Sequence, residues 1–137
     1  MRTLLLFLLF GIASLARGEG LLVIAHPQVP DAALSLADLA NIYLIKKTNW
    51  GNGQPVVPVN REASSEGREE FSDILFSKAP GELAEYWNRL RFQGKRPPVI
   101  QTSEAAVAAF VRNVPGAVGY VDAKSNPPGV KVLLRLP

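Results

Sequence analysis

Four side chains able to donate hydrogen bonds to an anion fall within eight positions: Arg61, Ser64, Ser65 and Arg68. They follow a short apolar run, Val56–Val59, and open a helical pattern that runs to about Phe76. A strand that hands over to a helix at this point would bring together backbone N–H groups, two hydroxyls and a guanidinium. The first turn of a helix carries unsatisfied N–H groups and partial positive charge, so it favours an anion. Arg61 would add bidentate, charge-assisted hydrogen bonds, and Arg68, one turn along, could reach the rim. This is the chemistry of an oxyanion cradle. The same residues also read as an ordinary helix start, in which Ser64 or Ser65 is the N-cap and Glu66, Glu69 and Glu70 complement the helix dipole. Glu66 favours this second reading, because a first-turn acid satisfies the helix end with no ligand. Both readings stand on the residues.

Other reactive residue types are sparse. The 137-residue chain has no cysteine and one histidine, His26. This removes most soft-metal chemistry and every Cys- or His-based triad. His26, placed before Pro27, reads as a strand-end residue and not a ligand. Glu69, Glu70 and Asp73 fall on a helix surface facing solvent and do not form an acid–base pair. With no nucleophile and base in register, the sequence points away from an enzyme, and no metal or cofactor is expected. Trp50, Tyr86, Trp87 and Tyr120 read as core or wall. Arg89, Arg91, Lys95 and Arg96 read as a solvated basic face in preference to a docking site.

The elements that must position these residues begin after an export signal. Arg2 supplies a positive start, Leu4–Leu15 is an apolar run of about a dozen residues, and Ala16 and Gly18 carry the small side chains a signal peptidase inspects. A spanning helix needs about 20 apolar residues, so the run is too short to anchor the chain. Arg17 is mildly unwelcome in such a cleavage region, and an uncleaved interfacial anchor is the competing reading. Cleavage is expected between Gly18 and Glu19, giving residues 1–18 as a signal peptide and 19–137 as one soluble, periplasmic domain. Without Arg2 and Arg17 the net charge falls from +3 to near +1. No Lys/Arg run then suggests a nucleic-acid partner. A cysteine-free domain of about 119 residues must be held by its apolar core alone.

Within that domain Leu21–Ala25 reads as a buried strand. Ser35 caps a helix over Leu36–Leu44 whose buried stripe is Leu36, Leu39, Ala40 and Tyr43. Val56–Val59 is a strand in which Pro58, lacking an amide donor, predicts an edge or a bulge. A second helix spans about Ser65–Phe76, with Phe71, Ile74, Leu75 and Lys78 on one face. Pro80 opens a third, striped by Leu83, Tyr86, Trp87 and Leu90 and closed near Gly94. Ser103 caps a fourth, where Val107, Phe110, Val111 and Val114 share a face; Trp87 and Phe110 are expected in the core. Val118–Val121 and Val130–Leu136 complete the strands. Alternating strands and helices predict an α/β domain of two or three layers around a mixed sheet.

Three stretches carry a resemblance. SLADLANIYLIKKTNW (Ser35–Trp50), VVPVNREASSEGREEF (Val56–Phe71) and VPGAVGYV (Val114–Val121) resemble, in order, signatures of the second lobe of phosphate-binding periplasmic proteins of the ABC-transport type. The resemblance implies a single lobe of a periplasmic-binding-protein-like α/β fold, a mixed sheet flanked by helices, with inorganic phosphate or a similar oxyanion as ligand and an ABC transporter as partner. Arg61, Ser65 and Phe71 match the family's central motif. The motif's Asp, second Gly and Thr are replaced by Ala63, Glu66 and Gly67, and most of a first lobe is missing.

Two functions follow from this sequence. One is a solute-binding module recognising phosphate-like anions. The other is a ligand-free accessory protein that keeps the fold and docks on an envelope partner or on itself, as a homodimer covering the face a first lobe would occupy.

Overall fold

The computed structural model describes residues 20–137, so the expected signal peptide and its cleavage point lie outside the described residues. The elements run β1 (Leu21–Ala25), α1 (Leu36–Tyr43), β2 (Val57–Arg61), α2 (Glu66–Phe76), a 3-10 turn (Pro80–Leu83), α3 (Ala84–Phe92), β3 (Val99–Gln101), α4 (Glu104–Asn113), β4 (Ala117–Asp122) and β5 (Lys131–Leu136). The strands form one mixed sheet in the order β3-β2-β4-β1-β5. β2 is parallel to β3 and β4, whereas β1 is antiparallel to both β4 and β5.

Strand β1 is buried at all five positions because both sheet faces are covered. Side chains alternate across a strand. Leu21, Val23 and Ala25 therefore enter one core with Leu39, Ile42, Tyr43, Trp50, Phe71 and Tyr120. Leu22 and Ile24 enter the opposite core with Val59, Val107, Val111 and Val121. Helices α1 and α2 cover the first face and α4 the second, so the domain has three layers. Leu83, Trp87 and Leu90 make a smaller satellite cluster. Among the described residues no helix is long and apolar enough to cross a membrane.

Several sequence expectations need correction. Leu36 is exposed and Ile42 takes its place in the core, because α1 turns its Leu39–Ile42–Tyr43 face to the sheet. Phe110 is half-buried at the margin of the α4 core, while Trp87 is buried as expected. Lys78 lies past the end of α2, beyond Ser77 in the left-handed region at φ 52°. The short strand β3 has no counterpart in the reading above. Strand β2 is interior and carries no bulge. Pro58 is tolerated there because donors alternate sides along a strand: Val57 N–H donates to Gly116 O on the β4 side at 3.0 Å. The missing donor of Pro58 thus faces the other side, where β3 pairing starts only at Val99, opposite Val59.

One glycine sets the packing distance on the α4 side. A Cβ on Gly119 would stand 2.8 Å from Val107 Cγ1 and 3.1 Å from Val111 Cγ2, so only a bare backbone lets α4 lie this close to β4.

Candidate oxyanion site

Parallel strands β2 and β3 end at the same sheet edge, and each leads into a serine-capped helix. At the end of β2 the backbone is held by a buried polar network. Arg61 N–H donates to Asn60 Oδ1 at 3.0 Å and to the Tyr120 hydroxyl oxygen at 3.3 Å, while the Tyr120 hydroxyl donates to Asn60 Oδ1. Burial pushes the Tyr120 phenol well above its usual range. It therefore stays a neutral donor.

Behind the network lies an aromatic trio. Phe71 of α2 stacks on Tyr120 with centroids 3.8 Å apart and planes within 11°. Tyr43 meets Phe71 edge-on at 4.7 Å. Its hydroxyl donates to Val59 O at 2.7 Å, and burial raises its pKa strongly. This trio pins the start of α2 over the end of β2.

Between them Ser65 N–H donates to Glu62 O at 3.0 Å, closing a turn. Ser65 is the N-cap of α2: it has an extended backbone (φ −71°, ψ 133°), it is buried, and its Oγ accepts from Arg68 N–H at 3.2 Å. Such a cap contributes about 1 kcal/mol. Ser64 is exposed beside it.

The two arginines are both engaged. Arg68 Nη1 donates to Arg61 O at 3.0 Å, and partial burial lowers its pKa. Arg61 forms a two-pronged pair with the neighbouring Glu62, Nε to Oε2 at 3.1 Å and Nη2 to Oε1 at 3.0 Å. A carboxylate is itself a planar oxyanion, so Glu62 occupies one of the two bidentate edges of the guanidinium. The hydrogen bonds from Arg61 hold the Glu62 carboxyl below the usual glutamate range.

Arg61, Ser65 and Arg68 thus meet at one strand-to-helix junction, with Ser64 on its outer side. Glu66 is exposed on the first turn, and Glu66, Glu69, Glu70 and Asp73 line an open cavity of about 340 Å³ with Ala79. Burial, and then the charge of Asp122, raise the Glu70 pKa. The surface beside the junction is therefore acidic.

Sequence reasoning missed Glu62 as the partner of Arg61, and Asn60 with Tyr120 as the support of the strand end. The signal for Glu62 was an acid directly after the arginine. The Asn60–Tyr120 bond joins residues 60 positions apart and left no local trace. His26 accepts the Gln28 N–H on Nδ1 at 3.1 Å and closes the turn after β1. Among the described residues no group of His, Asp and Glu has the arrangement of a metal site.

The model of the PBP superfamily domain matches residues 14–130, and the chain belongs to that family. The fold is similar to a phosphate ABC transporter substrate-binding protein with bound phosphate from Clostridium perfringens, 25% identical with a TM-score of 0.69. It is also similar to an ABC-type phosphate transport receptor from Vibrio cholerae (23% identical, TM-score 0.66) and to PstS from Borrelia burgdorferi (16%, 0.60). The alignments cover 83% of this chain and 44%, 45% and 46% of those proteins, so the chain spans less than half the length of each. No curated protein matches the sequence.

Proposed function

We propose that the chain is an exported, periplasmic solute-binding lobe that takes up inorganic phosphate or a similar oxyanion at the β2–α2 junction and serves an ABC transporter. The observation that carries this reading is the junction itself. A strand delivers Arg61 to the start of a helix capped by Ser65, in a fold shared with a protein that holds phosphate. Arg61 and Ser64 would meet the anion, the free amides of the first turn would donate to it, and Arg68 would add charge from the rim. A second copy of the chain, covering the site, would supply the closure a two-lobed protein provides within one chain.

A second reading has its own support. The pairing of Arg61 with Glu62 and the acidic cavity beside Glu66 fit a lobe that has given up its ligand and docks on an envelope partner instead. Calorimetric titration with phosphate separates the two. The binding reading expects heat with wild type, loss with Arg61→Ala and tighter binding with Glu66→Gly. Silence from all three would overturn it in favour of the docking reading. Export is checked by mass spectrometry of periplasmic protein, which should begin at or near Glu19; an intact Met1 in a membrane fraction would contradict it.

A further inference from the structure

Far from the β2–α2 junction in sequence, the end of α3 carries a feature that no core contact explains. Phe92 is 92% exposed, more than any other large apolar side chain among the described residues. It lies outside the buried cluster that Trp87 and Leu90 of its own helix form with Leu83 of the preceding turn. Fraying does not account for this exposure. Lys95 N–H donates to Leu90 O at 2.9 Å and Gly94 N–H to Arg91 O at 3.0 Å, with Gly94 at φ 76°. That pair of bonds is a complete Schellman cap, which needs a residue comfortable at positive φ. The helix end is locked and the chain turned back, with Phe92 held outward.

The charged residues of the segment from Arg89 to Arg96 are of one sign. Arg89, Arg91, Lys95 and Arg96 are four cations in eight residues with no acid among them, and all four are exposed. Arg89 leans on the Tyr86 ring at 5.9 Å, which leaves its charge at the surface. Favourable placement at a helix C-terminus accounts for Arg89 and Arg91 but not for Lys95 and Arg96, which lie beyond the cap.

We propose that this tip is a docking site for an anionic lipid surface, with Phe92 inserted at the headgroup boundary and the four cations on the phosphates. Two observations select a bilayer over an acidic protein. A protein interface draws on some 20–30 residues a side around an apolar centre, whereas this patch is a single projecting aromatic within eight residues. Long-stemmed cations around one apolar side chain fit a layered medium, since their stems can lie along the acyl boundary while the charges stay at the headgroups.

The test is vesicle co-sedimentation of the chain as isolated from the exporting cell, with variants compared in that same form. Vesicles of 30% phosphatidylglycerol in phosphatidylcholine should bind wild type more strongly than phosphatidylcholine alone, and 0.5 M NaCl should abolish the difference. Arg89→Ala and Lys95→Ala should each weaken binding about five-fold, the effect of roughly 1 kcal/mol per surface cation. Phe92→Ala should weaken it further while leaving the melting temperature unchanged, because the side chain packs against nothing. Equal binding to both vesicle types would overturn the proposal, as would Phe92→Ala binding like wild type. So would wild type ignoring both vesicle types while Phe92-dependent binding to an acidic protein is found. Phosphate titration of Phe92→Ala should match wild type, so this result is separate from the fate of the oxyanion site.

Discussion

Two helices start at the same edge of the sheet with the same device and come to different ends. Both α2 and α4 follow parallel strands, and both are capped by a serine, Ser65 and Ser103, whose Oγ accepts an N–H three residues on. Both place a glutamate first. At α4 that glutamate is a joint: Glu104 Oε1 accepts Asp122 N–H at 2.6 Å and Oε2 accepts the Ser125 hydroxyl at 2.5 Å, tying the helix to the end of β4. At α2 Glu66 is exposed, and the nearby guanidinium of Arg61 is turned to Glu62. A serine cap with an acidic first turn is thus a local motif of no fixed purpose. What reaches it from the neighbouring strand decides whether it closes a seam or leaves a surface for a ligand.

The largest expected effect comes from removing what holds the open start in place. Phe71→Ala should destabilise the domain by about 3–5 kcal/mol, the usual cost of emptying a buried aromatic site. Urea denaturation measures it, and a loss below about 1 kcal/mol would mean the aromatic trio does not anchor α2. Next comes the pair of glutamates. Glu104→Ala should cost about 1.5–3 kcal/mol, because hydrogen bonds to a charged group are lost and a backbone N–H is left without its partner. Glu66→Ala should cost less than about 1 kcal/mol, the dipole contribution alone. Equal costs would erase the distinction between the two helix starts.

Binding sharpens the contrast further. Glu62→Gln keeps the shape of the side chain but weakens its hold on Arg61, so on the proposed function phosphate should bind about ten-fold tighter, near the low end for a charge-assisted bond. Calorimetry reads this directly, and an unchanged affinity would show that Glu62 is no competitor.

The smallest effect is a pH dependence. The folded-state pKa of Glu62 is depressed, so its contribution to stability is fully present at neutral pH and fades as pH falls through and below the usual carboxylate range. The same protonation releases Arg61. Sulfate, which keeps its charge over that range, should therefore bind more tightly toward acid in wild type, and the gain should be smaller in Glu62→Gln, where only Glu66 and its acidic neighbours are neutralised. Weaker sulfate binding toward acid in wild type would reverse the assignment.

Much of this frame was legible in the sequence because its determinants are local. Ser35 and Ser103 cap their helices as their positions imply, Ser65 is the one of the Ser64–Ser65 pair that caps α2, and the apolar run Leu21–Ala25 is a buried strand as its residues imply. The misreadings arise where the deciding partner is remote. Leu36 and Ile42 lie about 120° apart around α1, and only the placement of the helix on the sheet leaves Leu36 exposed and buries Ile42. Pro58 argues for an edge until the late start of β3 leaves its missing donor nothing to pair with. At the candidate site the residue types were readable, but the pairing that currently engages Arg61 was not. An arginine next to a glutamate says nothing of which way either side chain turns.

The position of β1 has a kinetic consequence. The first strand of the described chain is interior to the sheet, and both of its partners lie near the other end: Leu21 pairs with Asp122 and with Leu136. The loop that must close before β1 is satisfied on either side is about a hundred residues long, a pattern of high contact order that slows folding. During synthesis the most apolar strand therefore waits, unpaired, until nearly the whole chain has been made. For a chain whose start reads as an export signal, this delay is useful. On the proposed export, the sheet would not close until β4 and β5 had followed β1 across the membrane.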